Sequence, residues 1–336
     1  MKRVLQVAIP ALISGIAVWY SLVGVDLGRV LAELERLRPL WLIPVAFCAA
    51  LTLWLRAVRW RMLLNPLGDI GDAPVFDATC IGFMGNMIFP LRAGEILKPL
   101  VVARGGQVGP AAALATVAVE RICDLAMLGL FVLLAVFLVP QGAFLRERAD
   151  LLLSVVVVVA LGVVLAVRWR AAIERLSETI TGRLPRGVGA ALRDGMHGLL
   201  ASLAGLGQPR VFIGVTATSA AVWGATAAGF AFTAQALSID APPLALGIVA
   251  TVVVAIAVAV PSAPGYVGVF WAGSEIALEL FGVPKSLGFG YGLLNWSVQM
   301  LVIVGLGLWS VARLDLSLGE LWRTTRAPGR PPPEAS

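Results

Sequence analysis

Three charged residues stand close together inside an otherwise apolar stretch of the sequence. Glu120, Arg121 and Asp124 fall about 12 Å into a helix predicted to begin near Ala112. Glu120 and Asp124 are four residues apart and therefore share a helix face, while Arg121 can reach Asp124. Ionisable groups at membrane depth are costly, so such residues pair with one another or face a polar cavity.

A second polar group surrounds a short segment rich in Pro and Gly. Arg92, Glu95 and Lys98 follow one another at a spacing of three, which places them on one face if the stretch is helical. Asn86 precedes them by six residues. A lone acid, Glu275, follows a second Pro/Gly-rich segment, where it either supports a site or only packs near the interface.

These residue types indicate binding of an anion rather than catalysis. Arginine binds phosphate bidentately and stays charged when it is dehydrated. The candidate anion-binding residues, which would hold the head group if the ligand is a lipid, are Asn86, Arg92, Lys98 and Arg121. The candidate supporting acids are Glu95, Glu120, Asp124 and Glu275. An alternative remains open, in which the Arg121–Asp124 pair only fixes helix packing; no catalytic residue, metal site or cofactor is predicted.

The composition defines the setting of these residues. Hydrophobic residues make up 59% of the chain and charged residues 14%, and the mean hydropathy is +0.90. Apolar residues come in long blocks, such as 151–167 and 243–260, without the alternation typical of a membrane β-barrel. Because backbone polar groups in hydrocarbon need internal partners, these blocks are predicted to be membrane helices.

The chain is predicted to be an all-α polytopic membrane protein with six full spans and two broken hairpins. The spans are predicted at 4–24, 40–58, 112–139, 150–168, 211–237 and 286–312. The broken regions lie at 75–105 and 243–282, because Pro and Gly interrupt each one. The hairpin breaks are assigned to Pro90, Gly94, Pro261, Pro264, Gly265 and Gly268. Ordinary loops between full spans are the open alternative.

The distribution of basic residues predicts the orientation. The Arg-rich segment 168–210 is expected to be cytoplasmic and amphipathic, with both termini also inside. Residues 1–322 then form one transmembrane domain, followed by a disordered cytoplasmic tail at 323–336. Halves of about 1–139 and 150–313 would repeat the same order of elements in opposite directions, as in inverted-repeat transporters.

Two further features are assigned to the membrane surfaces. Residues 26–39 have the pattern of an amphipathic helix lying on the outer surface. The predicted second span closes with Arg56, Arg59, Trp60 and Arg61, where basic and aromatic residues commonly serve as interfacial anchors.

The chain resembles the lysylphosphatidylglycerol synthetase/flippase transmembrane-domain family over nearly its whole length. The motifs are Gly82-x-x-x-Asn86-x-x-x-Pro90-x-Arg92-x-Gly94-Glu95-x-x-Lys98, Glu120-Arg121-x-x-Asp124 and Pro261-x-x-Pro264-Gly265-x-x-Gly268. Two positions depart from the family pattern: Lys98 stands where Arg is common, and Trp271 where Glu is common. The resemblance implies a flippase-like portion without the aminoacyl-transferase domain.

The resemblance, taken with the predicted topology and charged residues, implies a flippase or scramblase for a phospholipid or another lipid with an anionic head group. The predicted setting is a bacterial inner membrane, with membrane lipids as partners and no nucleic acid. The alternatives are a membrane-embedded head-group transferase and a non-catalytic partner subunit of a lipid or hopanoid pathway. A homo-oligomer, or association with a separate lipid-modifying enzyme, is left open.

Overall fold

The protein is helical throughout the part of the chain that the structure describes. A computed structural model describes residues 2–138 and 185–326, together with Ser154 and Trp169, and none of these residues lies in a strand. The α-helices are α1 (Lys2–Leu22), α2 (Leu27–Glu35), α3 (Leu42–Leu64), α4 (Asp72–Ile88), α5 (Gly94–Ala103), α6 (Pro110–Leu138), α7 (Arg186–Gly205), α8 (Pro209–Ala236), α9 (Pro243–Ala259), α10 (Val269–Glu279), α11 (Lys285–Arg313) and α12 (Leu318–Arg326).

Several of these helices are long and apolar enough to cross a membrane. Four segments meet this condition: Pro39–Leu64, Pro110–Leu138, Pro209–Ala236 and Lys285–Arg313. A fifth is obtained if Ala8–Leu22 and Leu27–Glu35, which are bent by 77°, are counted together. The chain is therefore a multi-pass membrane protein. The predicted span at 150–168 lies outside the described residues, and the orientation of the halves stays a prediction.

The first predicted break separates α4 from α5. Pro90–Arg92 form a short 3₁₀ turn, in which Leu91 has φ 61° and Arg92 has φ 52°. Positive φ is rare for residues other than Gly and costs free energy, so this turn must be held by its surroundings.

Glycines allow α4 and α5 to fold back closely on one another. A Cβ at Gly94 would overlap the carbonyl oxygen of Gly82, and one at Gly82 would lie 2.7 Å from Cβ of Lys98. Since a side chain at either position requires the backbones to separate, the Gly82 and Gly94 positions set the width of this hairpin.

Replacing Gly94 by alanine is expected to destabilise the fold by about 1–3 kcal/mol or more, because the new methyl group overlaps a neighbouring backbone. Gly105→Ala is the matched control, since its Cβ would meet only Val102 O at 3.6 Å. SDS titrations of the purified proteins measure the free energy of unfolding of both variants. Equal stability of the two variants would contradict the close approach.

The second predicted break separates α9 from α10 and is enclosed by other helices. Gly265, Tyr266 and Gly268 have φ of 69°, 58° and 82°. Trp296 Nε1 donates to Gly265 O at 2.6 Å, and the backbone N–H of Ala263 donates to Ser14 Oγ at 2.8 Å. Non-helical backbone at membrane depth requires such internal partners.

The two breaks lie against each other. The guanidinium carbon of Arg92 is 5.6 Å from the ring centroid of Tyr266, so the positive-φ residue of one turn contacts that of the other. A Cβ at Gly265 would lie 3.3 Å from Met87 O of α4. The distant segments 90–94 and 264–268 therefore form one continuous surface.

The peripheral segments partly match their predictions. Asp26 caps α2 by accepting from the backbone N–H of Gly28, which gives the helix predicted at 26–39 a defined start. The described part of the segment at 168–210 includes α7, which packs against α6.

Helix α12 extends to Arg326, beyond the predicted start of the tail at 323; residues 327–336 lie outside the described part. Ser317 and Glu320 form a reciprocal capping box that stabilises this helix.

Candidate functional site

A cavity of about 480 Å³ lies where the two breaks meet. One part of its wall is charged and polar, and the rest is apolar and aromatic. The charged residues in the wall are Arg56, Arg92, Glu95, Arg121 and Asp124. The aromatic residues in the wall are Phe83, Trp223, Phe230, Tyr266, Phe270 and Trp296. Pockets of this size and mixed character are typical of small-molecule sites.

Asp124 is the centre of the ionic network beside the cavity. Its Oδ1 accepts from Arg59 Nη1 at 2.8 Å, and its Oδ2 lies 3.3 Å from Arg121 Nη2 and 3.6 Å from Arg56 Nη1. Helix α3 supplies Arg56 and Arg59, which share a face at a spacing of three. One carboxylate from α6 therefore holds three arginines from two helices.

A second ion pair lies behind the cavity wall. Lys98 Nζ is 2.5 Å from Glu120 Oε2, and both side chains are at least 95% buried. The Lys98 ammonium also lies 4.0 Å from the Trp60 ring centroid, and Arg59 Nη2 is 3.5 Å from Glu120 Oε1. Lys98 thus joins α5 to α6 and does not line the cavity.

Arg92 links the first hairpin to the second. Its Nη2 donates to the carbonyl oxygen of Val258, one of the last carbonyls of α9. A cation suits this position because helix C-terminal carbonyls lack intrahelical partners and carry partial negative charge. Among the described residues, no carboxylate oxygen lies within 4.0 Å of the Arg92 nitrogens.

Asn86 lies in the cavity wall and is 7% exposed. Its Oδ1 is buried and has no hydrogen-bond partner among the described residues. This oxygen lies beside Gly94, where a Cβ would come within 2.6 Å of it, so Asn86 also depends on the close approach of α4 and α5.

The structure brings together most of the predicted site residues but separates Glu275 from them. Asn86, Arg92, Arg121 and two of the supporting acids, Glu95 and Asp124, line the cavity. Glu120 lies behind it with Lys98. Glu275 is 4% exposed on α10, outside the cavity wall, and its nearest described cation is Lys285 Nζ at 3.9 Å.

The sequence interpretation missed two arginines of the site. Arg56 and Arg59 were assigned to an interfacial anchor, but Arg56 lines the cavity and Arg59 is fully buried. Helix α3 continues to Leu64, so both arginines lie inside it rather than at its end. The stop signal Asn65-Pro66 could have predicted this end, since helices commonly stop before proline.

This arrangement can receive a group that is anionic at one end and apolar at the other. The guanidinium groups of Arg56, Arg92 and Arg121 line the same cavity as many apolar and aromatic side chains. Arg56 lies over the ring of Phe83 and Arg92 over that of Tyr266, so charged and aromatic groups are in contact. The Arg121 side chain is 46% exposed, so its guanidinium group is accessible to a ligand. Fold and site together define a helical membrane protein with an amphipathic, cation-lined cavity.

Comparisons with known proteins identify the family. The model for the lysylphosphatidylglycerol synthase TM region matches residues 7–317, so the chain belongs to this family. This confirms the family that the motifs indicated. The chain is also 26% identical to glycosyltransferase AglD of Haloferax volcanii, over 88% of this chain and 52% of that protein. The chain thus spans about half the length of this curated relative. No solved structure matches.

Proposed function

We propose that the protein moves a lipid with an anionic head group between the two leaflets of a membrane. The observation that carries this proposal is a single cavity whose wall joins three arginines to a large apolar and aromatic surface. Such a wall suits a lipid, whose head is charged and whose body is hydrocarbon. Membership of a lipid-related membrane family supports the same assignment.

In the proposed transport step, the head group enters the cavity while the acyl chains remain in the bilayer. Arg56, Arg92 and Arg121 replace the water that the phosphate loses, which lowers the cost of moving its charge through hydrocarbon. Asp124 and Glu95 limit the affinity, because a head group that is held too tightly is not released. Lys98 and Glu120 act as positioning residues by holding α5 against α6.

The two breaks provide a means of opening the cavity alternately. They contact each other through Arg92 and Tyr266, and each belongs to a different half of the chain. A small rotation of one hairpin against the other would change which end of the cavity is open. The setting we propose is a bacterial inner membrane, with membrane lipid as the only partner required.

A head-group transferase is the second candidate, because the matched relative is named a glycosyltransferase. Such an enzyme needs a general base, and Glu95 and Asp124 are the carboxylates in the cavity wall. Asp124 is surrounded by three arginines, which favour its role as a holder of cations over that of a proton acceptor. Transport is therefore the better supported assignment, with no enzymatic activity proposed.

Reconstitution in vesicles tests the two candidates together. Purified protein is placed in vesicles containing a fluorescent phosphatidylglycerol, and a membrane-impermeant reductant reports the lipid in the outer leaflet. We expect complete bleaching with the protein and about half bleaching in protein-free vesicles. The same lipid is then analysed by mass spectrometry after incubation with sugar donors. If the protein leaves bleaching at the half seen in protein-free vesicles and a new lipid product forms, transport is overturned in favour of the transferase.

A further inference from the structure

We propose that the cavity prefers a lipid whose head group is a phosphomonoester, carrying two negative charges, over a phosphodiester, which carries one. This inference rests on the proposed function and specifies its substrate class. It depends on three properties of the site. These are its excess of positive charge, its unused hydrogen-bond donors and the burial of a second layer of charged residues behind the wall, formed by Arg59, Lys98 and Glu120.

The ionic network at the cavity carries two more positive than negative charges. Within the described residues, it is formed by the side chains in the cavity wall and by those paired with them. The cations are Arg56, Arg59, Arg92, Lys98 and Arg121, and the carboxylates are Glu95, Glu120 and Asp124. Uncompensated charge away from bulk water is costly, so a dianion neutralises this site whereas a monoanion leaves one charge unmatched.

The three arginines in the wall have almost all of their donors free. Each guanidinium carries five N–H groups. In the described part of the chain, these arginines make one hydrogen bond, from Arg92 to Val258 O, and Arg56 and Arg121 only approach carboxylates at 3.3–3.9 Å. A phosphomonoester offers three terminal oxygens to these groups, whereas a phosphodiester offers two.

The second layer strengthens the preference because it is fully desolvated. Arg59 is 0% exposed, and no described residue accepts a hydrogen bond from its Nε or Nη2. Glu120 is shared between Arg59 and Lys98, and Asp124 is shared between Arg59 and the wall arginines, so the positive charge is only partly balanced. Electrostatic attraction in such a weakly polar environment is several times stronger than in water.

The remainder of the wall indicates that the phosphate belongs to a lipid rather than to a free ion. Leu125, Leu128, Val254, Val258 and Ile303 line the same cavity as the arginines. These side chains offer nothing to inorganic phosphate but suit the apolar part of a lipid next to its head group. The site is accordingly assigned to the monoester of a lipid alcohol.

Calorimetric titration of the purified full-length protein in detergent tests this preference. The ligands are dihexanoyl phosphatidic acid, its methyl ester dihexanoyl phosphatidylmethanol and inorganic phosphate. The two lipids differ by one methyl group and one charge. At pH 8 we expect phosphatidic acid to bind at least about tenfold more tightly than its ester, from the strength of one additional buried charge contact. Inorganic phosphate should bind more weakly than either lipid.

Two controls separate charge from general lipid affinity. Because the second proton of a phosphomonoester dissociates near pH 6, the preference should shrink towards pH 5, where both lipids carry one charge. Arg56→Gln should reduce the preference at pH 8, whereas Arg104→Gln, at an exposed position after α5, should leave it unchanged.

Each outcome has a distinct meaning. Equal affinity for the two lipids at pH 8 would overturn the phosphomonoester preference but leave the proposed function standing. Phosphate binding as tightly as phosphatidic acid would overturn the lipid assignment of the site. Absence of binding by all three ligands would overturn both this inference and the proposed function.

Discussion

Replacing Glu120 by leucine is expected to destabilise the protein by about 3–5 kcal/mol. Glu120 is 1% exposed and balances both Lys98 and Arg59. Its removal leaves a buried ammonium without a carboxylate, and breaking a buried ion pair costs far more than forming it gains. The free energy of unfolding, obtained from SDS titrations of the purified protein, measures the loss.

The double variant Lys98→Met with Glu120→Leu is the decisive control. Removing both charges leaves no orphaned ion, so most of the stability should return. Glu95→Leu is the matched single control, since this acid is 34% exposed and lies 3.9 Å from its partner Arg121; about 1 kcal/mol or less is expected. A double variant as unstable as Glu120→Leu alone would show that Glu120 acts through packing and not through charge.

Arg121→Gln is expected to slow lipid exchange between leaflets by about tenfold to a hundredfold, the value of a lost hydrogen bond to a charged group. The Arg121 side chain is 46% exposed and lines the cavity. Glutamine keeps much of its length but loses the positive charge and the bidentate fork. Leaflet-resolved bleaching of a fluorescent lipid in proteoliposomes gives the rate.

The control for this experiment is Arg104→Gln, which removes an exposed arginine away from the cavity. Its transport rate should equal that of the unchanged protein. Arg121→Gln should also unfold within about 1 kcal/mol of the unchanged protein, because partly exposed ion pairs contribute little to stability. Undiminished rates in both Arg121→Gln and Arg92→Ala would refute the cavity as the route of the head group.

Local sequence located the apolar helices and the breaks, although α3 runs to Leu64, beyond its predicted end at 58, and α12 was not predicted. The apolar blocks had to be helical because hydrocarbon leaves no other way to satisfy the backbone, and Pro90 and Pro264 mark the observed 3₁₀ turns. The cluster at Glu120, Arg121 and Asp124 was also recognisable, since charge within an apolar helix requires a partner or a cavity.

Tertiary packing decided which charges share a site. Periodicity places Arg56 and Arg59 on one face of α3, but it does not tell which helix that face contacts. Only packing against α6 brings them to Asp124, and only the fold of the first hairpin buries Lys98 against Glu120 instead of exposing it to the cavity.

The sequence by itself therefore determined that this is a helical membrane protein of a lipid-related family, with paired charges near two broken hairpins. The tertiary structure decided that three arginines converge on one cavity, that Lys98 stands behind it and that Glu275 lies outside it. The physical reason is that backbone satisfaction and helix periodicity are local properties. Contacts between residues such as Arg59 and Asp124, 65 positions apart, arise only when distant helices pack together.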